Sequence, residues 1–502
     1  MQRILPVLLV LSLHASWSVP IRGQHGIPEV LFMEPVEEEE AETGLPLYRQ
    51  VADEERIQTY RSWLQNPHAL WALDLFSKAR AIAVGRDPET ERHQPAAYYV
   101  ALVPGGNHGD LGFRLQTDRG IEEHPGAGYI KLGPDQWRFD DTFLHETGHV
   151  VTYMLSGGRK LDARPMTSLP HTTASLSDRE TAFREGYSIH LEALMARLDT
   201  GEATRDRYFH EQMLFGRVEQ APRQSEYYHH LVDLLNYAQT VSRYHDVLEN
   251  TFAFQSAWKG PDYFRVQLEK TRDYAELRDA NQLLQSEGFY ASFFYALLFR
   301  GLHLPPVDTI RARQGRMLEV KCDILENPDS GPNRPYLLEF LEAYQNRFPG
   351  EYDQVLDVFL DLTHGVFVDR QARSIWRRAY LAALALDMQA LGLDEIEESR
   401  RIWRERIKAD SKILYRRLGP ELPCMVRGPM VEIALLGPPI PLYFDINTVQ
   451  EGILCLIPGL TDAERLKWLS ERESRPFSDF EEFTDRVPLS EEVRSILVFD
   501  PE

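Results

Sequence analysis

From Phe139 to about Lys412 the chain keeps the three-to-four-residue spacing of apolar side chains that helices require, with breaks only around Pro222, Pro305–Pro306, Asn327–Pro335 and Pro349-Gly350. A chain patterned this way folds mainly as packed helices. Its 502 residues, 43% of them hydrophobic, supply a sizeable core and length for roughly two to four domains. Ahead of the helical stretch, Ile57–Val84 predicts a further helix, while Ala97–Val103 and Gly128–Leu132 predict strands that stop at Pro104-Gly105-Gly106 and Gly133-Pro134. The expected class is therefore α+β, mostly helical. No fixed-period repeat of the solenoid kind is visible.

The two ends read differently from the middle. Residues 1–18 begin with Met1-Gln2-Arg3, continue as the apolar run Ile4–Leu13 and carry small residues at Ser16 and Ser18, which predicts a signal peptide cut before Val19 and an exported, secreted or periplasmic protein. The competing reading is an uncleaved anchor, but the run falls short of the ~18–20 residues a membrane helix needs, and no later run approaches that length. Residues 19–47, with Glu37–Glu40 among prolines, read as a solvated acidic linker. Three cysteines, Cys322, Cys424 and Cys455, allow at most one bridge, so no disulfide framework holds an exported chain of this size. A net charge of −22 repels phosphate backbones, so nucleic acid is not the expected partner. The proline-rich Gly437-Pro438-Pro439-Ile440-Pro441 marks the clearest domain boundary, near 430–441.

One constellation carries chemistry: His145-Glu146-Thr147-Gly148-His149, flanked by Phe143, Leu144, Val150, Val151, Met154 and Leu155 on a predicted buried helix that Asp140, Asp141 and Thr142 would cap. Histidines four apart share a helix face and can reach one tetrahedral Zn²⁺. Glu146 is then placed as general base toward a water on that ion. Two histidines leave a third protein ligand to be found. Thr152 and Leu155 stand where a metzincin would have Gly and His, so the ligand comes from elsewhere. A second predicted helix, Asp178–Leu194, places Glu185 at the edge of its apolar face, where a carboxylate is costly unless paired or bound to a cation. Gly186 beside it would let that helix approach the first closely. Glu185 is the favoured ligand; Glu180, His190, Glu192, His171 and Glu287 compete. Tyr187 and His190 are candidates for oxyanion or supporting hydrogen bonds.

HETGH followed by Phe183-Arg184-Glu185-Gly186-Tyr187-Ser188, with Glu185 36 positions after His149, resembles the gluzincin zinc metallopeptidases, whose second helix bears the glutamate ligand. The resemblance covers about residues 95–200. It implies His145, His149 and Glu185 as metal ligands, Glu146 as general base, Zn²⁺ as cofactor and a polypeptide substrate. It also implies a zincin-like core of small mixed sheet plus HExxH helix, expected over residues 48–300. The spacing to Glu185 is longer than in thermolysin-like enzymes or the gluzincin aminopeptidases. The G-x-M-E-N segment of those aminopeptidases is absent from the sequence, so endopeptidase activity is favoured. A further helical region is expected over residues 301–430.

Near the C-terminus, Asp445-Ile446-Asn447-Thr448, then Ile453–Leu460 and Arg475–Phe483, resemble the helix-hairpin-helix repeat of exported competence proteins and pseudopilins. That resemblance implies a small all-α domain over residues 442–502. The second hairpin glycine is missing at Thr461, and residues 431–502 hold 6 basic against 15 acidic side chains, so a structural or protein-binding role is expected rather than DNA binding.

Together these readings predict an exported zinc-dependent peptidase. Two rival functions use the same sequence: a catalytically silent scaffold acting through residues 442–502, and a zinc hydrolase of a non-peptide amide such as a cell-wall crosslink.

Overall fold

The computed structural model describes residues 27–36, 44–88, 96–104, 106–133, 141–158, 177, 179–198, 246–256, 272–301, 305–326, 334–384, 392–418, 423–426, 443–447, 454, 460–478 and 480–499. The expected signal peptide, the Glu37–Glu40 run, His171, Asp140, Cys455 and the proline-rich hinge lie outside the described residues. No helix among the described residues is long and apolar enough to cross a membrane.

The N-terminal part is a small mixed sheet: β1 (Val30–Pro35), β2 (Leu47–Gln50), β3 (Tyr98–Leu102), β4 (Asn107–Thr117) and β5 (Gly120–Leu132). It curls until β1 meets β3, closing a five-stranded barrel in the order β1-β2-β4-β5-β3. Every residue of β3 is buried because its two faces serve different cores. Tyr99 and Ala101 point into the barrel with Met33, Tyr48, Phe113 and Tyr129, while Tyr98, Val100 and Leu102 join the main core outside it. Two expectations change here. Residues 30–35, assigned to the linker, form β1, and Leu47 at the linker's end opens β2, because barrel closure buries Phe32, Met33 and Leu47 in a way their acidic surroundings do not foretell. The expected small mixed sheet is present, but it closes into a five-stranded barrel, which does not by itself mark a zincin core. Its closure is uneven: β2 pairs with β4 only over Arg114–Gln116, so residues 107–113 of β4 are paired on one side, with β5.

The expected helix Ile57–Val84 divides into α1 (Glu54–Trp63) and α2 (Pro67–Arg86). The break is chemical: Pro67 has no N–H to continue the first helix, and the Asn66 side chain accepts from Ala69 N–H at 2.7 Å to start the second. Trp71, Leu75, Phe76 and Ala79 of α2 are buried in the main core that the outer face of the barrel also enters.

The helices that follow are α3 (Asp141–Leu155), α4 (Arg179–Leu198), α5 (Ala280–Leu284), α6 (Glu287–Phe299), α7 (Val307–Leu325), α8 (Tyr336–Arg347), α9 (Tyr352–Leu362), α10 (Arg370–Leu384), α11 (Leu393–Ala409) and α12 (Lys412–Tyr415), with a short β6–β7 pair (Phe254–Ser256, Arg272–Leu277) before α5. One apolar cluster runs from Phe32 to Leu414. The expected boundary at 300/301 is therefore absent from the core. Physical ties cross it: Trp71 Nε1 donates to Gln314 Oε1 at 3.0 Å, and Lys321 Nζ on α7 donates to Thr152 Oγ1 on α3 at 2.6 Å. Cys322, beside that lysine, is a buried free thiol whose pKa burial pushes up to about 12.

The C-terminal module holds α13 (Asp462–Ser474), α14 (Phe480–Arg486) and α15 (Glu491–Ile496) around buried Trp468, Phe477, Phe483 and Val493. It is not all-α. Strands β8 (Pro423–Val426), β9 (Tyr443–Asp445) and β10 (Leu497–Phe499) pair in the order β10-β8-β9, so the module takes in residues on both sides of the proline-rich hinge. Main-chain pairing across that hinge moves its start to Pro423 or earlier. Most of the expected hairpin, including Gly459, lies outside the described residues. What fixes the second half is visible: Thr461 and Glu464 form a capping box on α13, and Asn447 exchanges two hydrogen bonds with the Phe477 backbone at 2.7 and 3.0 Å.

Candidate metal centre

Helix α3 is held on several sides, by the barrel's outer face, by α2 and by α4, with Phe143, Leu144, Val150, Val151 and Met154 fully buried. Thr147, also buried, donates to the Phe143 carbonyl at 2.7 Å and meets the Tyr98 hydroxyl of β3 at 2.7 Å. These contacts set the rotation of α3 so that His145 and His149 face α4. The close approach of α3 and α4 belongs to Gly148, not Gly186. A Cβ at Gly148 would lie 3.0 Å from Ser188 Cα on α4, whereas one at Gly186 would lie 2.7 Å from the Glu287 carbonyl of α6.

On α4 the residues Glu185, Ser188 and Glu192 recur at helical spacing on one face, the face presented to α3. The Glu185 carboxylate oxygen Oε2 is 3.2 Å from His145 Nε2 and 3.3 Å from His149 Nε2, and the two Nε2 atoms are 3.2 Å apart. This near-equilateral triangle of two nitrogens and one oxygen is a group that can hold a metal ion. The test of fit is numerical: ligand atoms about 2.0–2.1 Å from a tetrahedral zinc are separated by roughly 3.3 Å, and a His₂Glu set is one of the donor sets of catalytic zinc. Charge agrees. Glu146, Glu185 and Glu192 bring three little-exposed carboxylates together, a cluster that a cation relieves.

Glu192, 3% exposed, accepts from the other nitrogen of the same imidazole, with its Oε1 2.5 Å from His145 Nδ1. That contact fixes the His145 tautomer and aims Nε2 at the triangle. Burial alone would lower the His145 pKa, but hydrogen bonds to Glu185 and Glu192 outweigh it and hold the imidazole well above its ordinary value. His149 is lowered to about 4 by burial, against the pull of Glu185.

Glu146 stands beside the triangle, its Oε2 4.0 Å from His149 Nε2. The same oxygen accepts from the Gly109 backbone N–H at 2.6 Å, on the part of β4 that β2 does not reach. A side chain at Gly109 would meet His149 Cβ at 3.0 Å, so glycine is what lets the strand cross the helix there. Burial raises the Glu146 pKa to about 7; Glu185 and Glu192 add to the rise, and His145 and the Gly109 N–H oppose it.

The other sequence-predicted residues sit elsewhere. Tyr187 and His190 are fully buried on the α4 surface away from the triangle, packed against Phe294 of α6, with their ring centroids 4.6 Å apart. Lys321 Nζ lies 3.4 Å from the Tyr187 ring centroid, and His190 Nδ1 bonds the Tyr187 carbonyl. They are core residues, placed about half a helical turn from Glu185. Glu180 pairs with Arg184 at 3.9 Å, and Glu287 opens α6 beside Gly186. Sequence reasoning missed three supports: Gly109; Glu192 as partner of His145, although its spacing of seven from Glu185 marks the same face; and Arg184, whose Nη2 donates to the Tyr153 hydroxyl at 3.0 Å and ties α4 to α3 one turn beyond His149.

Comparison with protein-family models, curated proteins and solved structures gave no match to this chain.

Proposed function

We propose that this chain is a zinc-dependent peptidase of gluzincin type, with endopeptidase activity favoured. The observation that carries the reading is the His145–His149–Glu185 triangle, with edges of 3.2, 3.2 and 3.3 Å, beside the Glu146 carboxylate. His145, His149 and Glu185 would hold the zinc, and Glu192 orients His145. A bound zinc supplies Lewis acidity, polarising a scissile carbonyl and making water a better nucleophile. Glu146 takes the proton of the attacking water and returns it to the leaving amine, a role that its place beside the triangle suits, with Oε2 4.0 Å from His149 Nε2. The Gly109 N–H holds that carboxylate at the edge of β4. A polypeptide substrate is supported by the same edge only in its backbone course: no strand among the described residues pairs with the outer side of residues 107–113, where side chains of Glu146 and Asp110 take the Gly109 and Leu111 N–H groups.

The reading also takes residues 1–18 as a signal peptide, so that the enzyme acts in a secreted or periplasmic setting, and assigns the acidic C-terminal module to a protein partner. Glu146→Gln tests the mechanism. It should abolish hydrolysis of unfolded casein while the metal content stays that of the parent; hydrolysis surviving the change overturns the proposal.

A further inference from the structure

At the end of α6 remote from the metal ligands, the chain builds a cleft of about 470 Å³ lined by three arginines: Arg300, Arg313 and Arg316. From Tyr290, which packs at Gly186, to Phe299 the helix rises about 14 Å, so this cleft is separate from the His145–His149–Glu185 cluster. Thr309, Arg313 and Arg316 follow one face of α7, and Gln354 in the first turn of α9 closes the other side.

The charges in the cleft are unequally matched. Glu351 is shared: one oxygen takes Arg300 and the Tyr344 hydroxyl, the other takes Arg316. Arg313 donates to the Leu298 carbonyl at 2.8 Å and has no carboxylate partner among the described residues. Asp308, exposed at the rim, brings the lining to three guanidiniums against two carboxylates, a net positive lining on a chain of net charge −22. Arg300 is 5% exposed, and its Nε is buried with no hydrogen-bond partner. Burial and the neighbouring Arg300 and Arg316 charges disfavour the Arg313 cation, and Glu351 and Tyr344 oppose them only in part.

We propose that the Arg300–Arg313–Arg316 cleft binds a phosphate-class oxyanion, either free phosphate or the phosphoryl group of a monoester. A tetrahedral dianion has enough acceptor oxygens to meet guanidinium forks from more than one direction, together with the Thr309 hydroxyl and the positive end of α9. Glu351 contacts Arg300 and Arg316, so Arg313, which feels that carboxylate only at a distance, is the guanidinium left to contact an added anion.

Calorimetric titration of the full chain with inorganic phosphate and with phenyl phosphate tests this. One saturable site per chain, weakened about tenfold or more in Arg313→Gln, is the expected result. Tighter binding of phenyl phosphate would assign the site to a phosphorylated molecule; equal or tighter binding of inorganic phosphate would assign it to the free ion. Two results overturn the proposal: no saturable binding of either probe, or binding unchanged in Arg313→Gln. Loss of binding in His149→Ala with Arg313→Gln unaffected would place the anion at the metal cluster and likewise overturn it. An unchanged thermal midpoint of Arg313→Gln without ligand separates lost binding from lost folding.

Discussion

His145 and Glu192 are joined by a 2.5 Å contact between imidazole Nδ1 and carboxylate Oε1, and that contact decides which ring nitrogen faces Glu185. Replacing Glu192 by Gln removes the charge and leaves the shape. Metal affinity, measured by chelator competition, should fall roughly 10- to 100-fold while one metal per chain still binds at saturation. An unchanged affinity would mean that Glu192 has no hold on the ligand.

The contact between α3 and α4 rests on Gly148. In Gly148→Ala the new methyl meets Ser188, including its Cα at 3.0 Å, and both helices are buried, so neither can move aside without disturbing the core. Overpacking of this kind costs about 1–3 kcal/mol. The thermal midpoint should drop, and Ser188→Gly added to it should recover part of the loss by removing the hydroxymethyl group. A single variant as stable as the parent would contradict the helix spacing described above.

How much of this was legible beforehand differs between helices and sheet. Helices α3 and α4 announce themselves through apolar residues at helical spacing, and the HETGH pattern brings its own geometry. The face of α4 was half legible: Glu185 and Glu192 are seven apart, which places them together, but spacing alone cannot say which binds and which supports. Tyr187 and His190 misled because proximity in sequence to Glu185 puts them on the opposite side of a helix. The barrel was harder. Leu111, Phe113 and Leu115 alternate as a strand should, yet Gly109, Gly112 and the bulge between Leu111 and Phe113 interrupt the pattern. β1 and β2 are short and lie on either side of the Glu37–Glu40 run, and their burial depends on partner strands 68 and 67 residues further along the chain. Gly109 could not be found from sequence, since its role is to let a strand cross a helix that comes later in the chain.

His190 gives a pH prediction. Burial holds its folded pKa at about 3, below the ordinary imidazole value, so on acidification the unfolded chain takes up a proton that the folded chain refuses. Its contribution to stability is complete above about pH 6.5 and declines as pH falls toward 3, by about 1.4 kcal/mol per pH unit. The thermal midpoint of His190→Gln should therefore depend less on pH between 6.5 and 4 than that of the parent. Parallel curves would mean that His190 is protonated in the folded protein.

The most direct test of the account is the metal content of the purified protein, by elemental mass spectrometry after zinc reconstitution, beside His149→Ala and Glu185→Ala. About one zinc per chain in the parent, lost in both variants whose circular dichroism remains that of the parent, is the predicted result. No zinc in the parent, or one zinc per chain retained when Glu185 is removed, would contradict the three-residue centre on which the proposed chemistry depends.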